Sequence, residues 1–318
     1  MLRFLLGWAR GALSAILYAI NTAFWVSLLF IVITARVIIP IASWRRLCGR
    51  AAISIAENWI SCNNLNQRIT GRTRLYIQGV DSLKRAEWYL VLSNHQSWVD
   101  ILILQRVFNR KIPFLKFFIK KELFWFPVLG QAWWALDFPF IKRYSKRFLE
   151  KYPHLKGTDL EITRKACEKF KALPISIMNF VEGTRFSQAK RARQQSPHTH
   201  LLKAKAGGIA FVLQAMEGRI HRILDVTIVY SEGPRTFWAF LCGKIEEARV
   251  HIRSLPVTAD LVGDYAEDPQ FRERFQQWLN HLWQEKDHCI QELITSPPLP
   301  DCTEWAQQPI IQNRTSCS

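Results

Sequence analysis

At 318 residues the chain is long enough for one large domain, or for a core domain with an appendage, and for a sizeable buried core. Lys and Arg number 43 against 26 acidic residues, and the resulting charge of +17 implies an anionic partner. Seven cysteines, odd in number and scattered without a C-x-x-C pair, exclude a disulfide framework or a cysteine-rich zinc site and imply reduced thiols.

From Gly11 to Ala35 no residue is charged. That many helical residues exceed a hydrocarbon core of roughly 30 Å, so the segment reads as a membrane anchor. Asn21 and Thr22 lie inside it and Val37 to Trp44 continues the apolar run after Arg36, so a single span and a helical hairpin dipping into one leaflet both fit. A secretory signal peptide does not, because the run is too long and no small-x-small cleavage site ends it. Arg45, Arg46, Arg50, Arg68, Arg72 and Arg74 follow the anchor, which by the positive-inside rule puts the bulk of the chain in the cytoplasm. For a chain held in lipid, the anionic partner is a headgroup, a phosphorylated substrate or an acidic carrier before it is nucleic acid.

Leu75 to Ile77 and Trp88 to Ser93 read as strands, and a helix is expected to start near Ser97. The segment from Ile112 to Ile141 is rich in Phe and Trp but broken by Lys116, Lys120, Lys121 and Glu122. It suits a surface at the lipid interface or an aromatic core, and it excludes a second spanning helix. Thr158 and Glu161 have capping-box spacing, predicting a helix from Asp159 to about Lys171. Ile175 to Val181 follows as a buried strand, Lys190 to Pro197 as a polar, basic loop, and Leu201 to Met216 as a helix. Ile223 to Tyr230 reads as a strand, and so does Ala248 to Ile252. Phe271, Phe275, Trp278, Leu279, Leu282 and Trp283 recur at helical spacing, predicting a C-terminal amphipathic helix. Strands interleaved with helices make an α/β domain. The expected division is an anchor over 1–60, a catalytic domain over 61–295 and a disordered tail over 296–318.

Two segments carry chemistry. In Leu90 to Asp100, "LVLSNHQSWVD", His95 ends a strand and Asp100 falls in the first turns of the next helix. A carboxylate accepting from one ring nitrogen leaves the other as a general base. Spacing alone proves little, since His154 and Asp159 repeat it without a strand to aim the histidine. The competing reading is a buried histidine bonded to a helix-capping aspartate. The second segment, Phe180 to Ser187 ("FVEGTRFS"), also follows a strand and combines Glu182, Gly183, Thr184 and Arg185. Glycine lets main-chain N–H groups approach an anion, and arginine's planar fork suits phosphate. Its plainer reading is a turn in which Glu182 pairs with Arg185.

Together, Asn94-His95-x4-Asp100 and Glu182-Gly183-Thr184-Arg185 resemble two signature blocks of the glycerolipid acyltransferases, most closely the membrane-bound 1-acylglycerol-3-phosphate (lysophosphatidate) acyltransferases. Phe140-Ile141-Lys142-Arg143, and Lys205 before Gly207, match two further blocks more loosely. The chain departs from the pattern at Val181, where the family usually has proline, and at Leu224-Asp225-Val226-Thr227, where a Val-Pro-Val-type strand is usual. The resemblance implies an α/β, glycerolipid-acyltransferase-type mixed sheet flanked by helices, with the N-terminal anchor in the cytoplasmic (inner) membrane. It implies His95 as base, Asp100 as its partner, and Arg185, Arg143 and Lys205 around the acceptor phosphate, with Glu182, Gly183 and Thr184 in the same substrate-binding block. A main-chain N–H near Gly183 is the candidate oxyanion donor. No metal or other cofactor is implied; the partners are a lysophospholipid in the membrane and acyl-CoA or acyl carrier protein as donor, with no nucleic acid. The competing readings are an acyltransferase for another lysophospholipid acceptor and a membrane lipid hydrolase using the same His and Asp.

Overall fold

The computed structural model describes residues 2–141, 164, 165, 167, 168, 170 and 174–296. It opens with two long helices, α1 (Leu2–Ile38) and α2 (Ala42–Thr70), broken at residues 39–41, where Pro40 lacks an N–H for a continuing helix. They pack against each other as a hairpin: Val26, Leu29 and Ile33 of α1 meet Ala52, Ala56 and Ile60 of α2. Asn21, the polar residue inside the apolar run, donates to Asn63 Oδ1 at 2.8 Å and to the Trp59 carbonyl at 3.1 Å. Among the described helices only α1, over Leu5–Ile38, is long and apolar enough to cross a membrane. Its outer face is bare, with Ile16, Ile20, Phe24 and Ile31 all exposed.

Strands β1 (Arg74–Gln78), β2 (Trp88–Ser93), β3 (Leu115–Phe117), β6 (Ser176–Phe180), β7 (Ile220–Tyr230) and β8 (Glu247–Pro256) form one sheet in the order β1-β8-β7-β2-β6-β3. The short β4 (Ile119–Lys120) and β5 (Phe140–Ile141) pair separately. Strands β7, β2, β6 and β3 run parallel, whereas β8 is antiparallel to β7 and parallel to β1. A parallel strand covered on both faces needs apolar residues at every position, and β2 supplies Tyr89, Leu90, Val91 and Leu92, all fully buried. Tyr89 and Val91 pack on α3 (Val99–Phe108). Leu90 and Leu92 face α6 (Gly207–Ala215) and α8 (Pro269–Thr295) on the other side. The remaining helices are α4 (Leu129–Ala135), α5 (Gln188–Gln194) and α7 (Phe237–Leu241).

The structure corrects two segments. Residues 190–197 are not all loop: α5 covers Gln188–Gln194, because Ser187 Oγ caps its first turn by accepting from the Lys190 N–H and no glycine or proline interrupts it until it closes on left-handed Gln195. The helix expected from Leu201 starts only at Gly207. The intervening backbone is used elsewhere, with Leu202 N–H donating to Glu182 Oε2 at 2.9 Å and Lys205 N–H to the Val181 carbonyl at 3.1 Å. The aromatic stretch after Ile112 divides: Phe114, Ile119 and Phe138 are buried, while Trp125, Phe126 and Trp134 stand exposed. Cys48, Cys62, Cys242 and Cys289 are free thiols. The start of the helix expected from Asp159, His154, the segment 142–143 and the tail after 296 lie outside the described residues, while 164, 165, 167, 168 and 170, within that expected helix, are helical.

Candidate active site

Because β2 and β6 are parallel neighbours in register at Ser93 and Phe180, the turns that follow them emerge side by side on one rim of the sheet. Three interactions lock the turns together. Glu182 Oε1 accepts the His95 N–H at 2.9 Å, Phe186 N–H donates to the His95 carbonyl at 2.7 Å, and Val181 N–H donates to the Ser93 carbonyl at 3.3 Å. Asn94 closes the other side, its amide exchanging both bonds with the Ile228 backbone at 2.9 Å and so continuing the β2–β7 ladder through a side chain.

On this frame His95 Nδ1 lies 2.8 Å from Asp100 Oδ2. Asp100 is fully buried, and both of its oxygens are engaged by hydrogen bonds. Oδ2 also accepts the N–H groups of Gln96 at 2.6 Å and Ser97 at 2.9 Å, and Oδ1 accepts the Tyr230 hydroxyl at 2.6 Å. An ionised carboxylate only accepts, so it fixes the imidazole hydrogen on Nδ1 and leaves the Nε2 lone pair available. The ring stacks on Phe180 with centroids 3.9 Å apart and keeps 13% of its side-chain surface accessible. An oriented, reachable imidazole of this kind can act as a general base.

Glu182 is buried, and its oxygens are taken by the His95 and Leu202 N–H groups. It braces the two turns and forms no ion pair with Arg185 among the described residues. Burial pushes its carboxyl up to about 7, against the opposing pull of those two donors. Gly183 takes φ +69°, a conformation open to glycine, and its N–H donates to the Phe180 carbonyl at 2.9 Å. That N–H is therefore not available to an oxyanion. The next two N–H groups, of Thr184 and Arg185, have no intramolecular partner among the described residues, which makes the turn beyond left-handed Gly183 a candidate anion nest. The Arg185 guanidinium lies over the Trp98 ring, 5.1 Å from its centroid, so it reaches back to the turn that carries His95.

Lys205 is exposed and tied by its backbone to Val181 at the same rim. Arg143 lies outside the described residues. Sequence reasoning missed Lys190, whose Nζ bonds Thr184 Oγ1 at 2.9 Å and the Arg185 carbonyl at 2.8 Å, adding a cation to the nest. The signal was Ser187 as a cap, which turns the basic run into a helix aimed at the cradle. Tyr230 was also missed, because it had been read only as the end of a strand.

A mixed sheet flanked by helices, with an aspartate-oriented histidine beside basic side chains on one rim, defines an α/β domain with a candidate general base. The acyltransferase family model matches residues 74–231, which span β1 to the end of β7 and hold both turns. Residues 74–231 thus form an acyltransferase-family domain, similar to the glycerolipid acyltransferases of the 1-acyl-sn-glycerol-3-phosphate acyltransferase type. The chain is 26% identical over 219 residues to 1-acyl-sn-glycerol-3-phosphate acyltransferase gamma of Mus musculus, covering 65% of this chain and 53% of that protein. To the delta form of Homo sapiens it is 25% identical over 224 residues, covering 67% and 54%. The chain thus spans about half the length of the curated relatives it matches. Its fold is similar to the crystal structure of the 1-acyl-sn-glycerophosphate (LPA) acyltransferase PlsC from Thermotoga maritima, with a TM-score of 0.56 at 15% identity, covering 92% of this chain and 99% of that one.

Proposed function

We propose that this chain transfers a fatty acyl group from a thioester, acyl-CoA or acyl carrier protein, to the free hydroxyl of 1-acylglycerol 3-phosphate, giving phosphatidate for phospholipid synthesis. The observation that carries the reading is the pairing, on one rim, of the Asp100-oriented His95 with the nest of Thr184, Arg185 and Lys190. His95 Nε2 takes the hydroxyl proton as the oxygen attacks the thioester carbonyl. The tetrahedral intermediate then expels the thiolate, which recovers that proton from the imidazolium, while Asp100 stabilises the imidazolium in between. Thr184 N–H, Arg185 and Lys190, with Arg143 and Lys205 from the sequence, hold the acceptor phosphate and convert its binding into alignment of the hydroxyl. Glu182 serves by positioning both turns.

The contacts of α1 support embedding in one leaflet of the inner membrane, with the domain on the cytoplasmic side. The protein body touches α1 near its start, where Trp8 and Trp238 lie 5.3 Å apart, and again near its end, where Arg36 bonds Asp137 at 3.1 Å. Residues 8 and 36 are 28 positions apart, about 42 Å along a helix. Hydrocarbon is roughly 30 Å thick, so the helix keeps both contacts only by lying along the membrane.

Purified full-length protein with labelled acyl-CoA or acyl carrier protein, with and without lysophosphatidate, tests the proposal. The expected result is labelled phosphatidate that depends on the acceptor and disappears in His95→Ala. Release of free fatty acid regardless of acceptor would replace the transferase reading with hydrolysis.

A further inference from the structure

A cleft of about 1130 Å³ opens where the start of α1 meets the loop after β7, the end of α7 and the start of β8. Its walls carry Arg10, Arg72, Arg235 and Lys244 against only Glu232 and Glu246. Arg235 already pairs with Glu232 at 3.4 Å. Arg10 and Arg72 have no carboxylate partner among the described residues, and both side chains pass over Gly243: a Cβ built there would lie 3.0 Å from Arg10 Nη1 and 3.4 Å from Arg72 Cγ, the start of the Arg72 stem. Gly243 has no such atom, and its φ of +70° keeps other residues out, so this backbone leaves room for both arginines in one cleft. Cations gathered in a cleft in excess of the carboxylates that line it favour an anion there.

The surroundings say which anion. Leu5, Leu6 and Trp8 of α1 are exposed at the mouth, beside exposed Phe237 and Trp238 of α7. Tryptophan and phenylalanine next to basic residues belong at the headgroup level of a bilayer. We infer that this cleft binds the phosphate of an anionic phospholipid, its acyl chains lying along the exposed face of α1 and its headgroup between Arg10 and Arg72. None of the residues lining the cleft belongs to the Arg185 turn, and the cleft adjoins the His95 turn through the loop whose Arg235 carbonyl accepts the Ser97 hydroxyl at 2.7 Å. A lipid held there braces the turn carrying His95 from behind. The inference rests on the in-leaflet reading of α1.

Flotation of the full-length protein with vesicles of pure phosphatidylcholine, or of phosphatidylcholine doped with phosphatidylglycerol, tests it. At roughly 1 kcal/mol for each basic residue near an anionic surface, wild type is expected to bind the doped vesicles tenfold or more tighter than the neutral ones. Arg10→Gln/Arg72→Gln should lose most of that preference and keep its affinity for neutral vesicles. Arg272→Gln/Arg274→Gln, which removes the same charge from exposed positions on α8, should retain the preference. An Arg10/Arg72 variant that still prefers anionic vesicles, or a control pair that loses as much, would overturn the site. Absence of wild-type binding to neutral vesicles would instead overturn the in-leaflet reading beneath it.

Discussion

The Tyr230 hydroxyl donates to Asp100 Oδ1 at 2.6 Å, opposite the oxygen that faces His95. Burial, together with the Asp100 charge, raises the phenol well above its ordinary value, so it stays a donor throughout the working range. Tyr230 acts through Asp100 and is a positioning residue. Tyr230→Phe keeps the ring in the core but removes a hydrogen bond to a charged group, a change of about 1.5–3 kcal/mol. Steady-state kinetics should show kcat reduced roughly 10- to 100-fold with the acceptor KM little changed. A variant with an unaltered kcat would show that the backbone donors alone hold the carboxylate.

Asp100→Asn tests the tautomer. An amide NH₂ cannot accept from the Gln96 and Ser97 N–H groups, and turning its oxygen toward them leaves the NH₂ facing the Tyr230 hydroxyl. With its NH₂ toward His95 the amide donates to Nδ1, which moves the imidazole hydrogen to Nε2 and removes the lone pair that would act as base; in the turned orientation the NH₂ displaces the Tyr230 donor that would stabilise the imidazolium. A kcat loss on the order of 10³ or more is expected, approaching that of His95→Ala, with vesicle binding intact. Single-turnover measurement with pre-bound acceptor separates this loss of chemistry from loss of binding.

Lys190 supplies a charge to the nest without touching His95. Lys190→Met should raise the KM for lysophosphatidate about 5- to 10-fold, the worth of one charge-assisted contact. Turnover of an acceptor without a phosphate, such as a monoacylglycerol, should not change. Equal losses on both acceptors would mean that Lys190 supports the turn and not the phosphate.

Strands β2, β6 and β7 were legible because burial on both faces forces a continuous apolar run, as in Tyr89 to Leu92; β3 was not, because Lys116 interrupts its three residues within the aromatic stretch. The two chemical turns were legible because His95 and Arg185 follow such runs directly. Tyr230 was not, since its contact with Asp100 joins residues 130 positions apart and no local pattern encodes that closure. The start of α6 failed for the same reason: the backbone of Leu202 and Lys205 is claimed by Glu182 and Val181, and this long-range pairing overrides a helical apolar pattern. The packing of α1 against α2 was legible only as far as the helix break at Pro40, because the contacts that place α1 on the body, such as Arg36 with Asp137, join residues remote in sequence.

Glu182 links stability to pH. Its carboxyl is raised from 4.5 to about 7 by burial, so the folded protein holds the proton more tightly than the unfolded chain does. Stability from this group is complete below pH of about 4.5 and is lost as pH rises through about 7, amounting to roughly 3 kcal/mol. Glu182→Gln does not titrate, but its NH₂ confronts one of the two backbone donors and costs about 1–3 kcal/mol at low pH. Thermal unfolding in detergent should therefore find the variant clearly weaker than wild type at pH 5 and closer to it, or level, at pH 8. A gap that is constant across that range would show that Glu182 is ionised in the fold at both values.

Asp225, one of the departures from the family pattern, sits mid-strand on the face covered by α8. Its Oδ1 meets Lys286 Nζ at 2.6 Å and its Oδ2 meets Arg253 at 2.7 Å; Lys286 is fully buried and also donates to the Val226 carbonyl. Burial lowers the Lys286 pKa, with the Asp225 charge opposing. A buried cation deprived of its partner costs about 3–5 kcal/mol, whereas replacing both partners by apolar groups of similar size is often near neutral. Asp225→Ala should thus lower the unfolding midpoint by several degrees and loosen α8, seen as faster amide exchange around Trp283, whose indole N–H otherwise bonds the Leu202 carbonyl at 3.0 Å. Asp225→Leu combined with Lys286→Met should recover much of that loss, although Arg253 keeps only Glu285 as a partner. If the double replacement is as weak as Asp225→Ala alone, the pair contributes packing that apolar side chains cannot reproduce, and the charge argument fails.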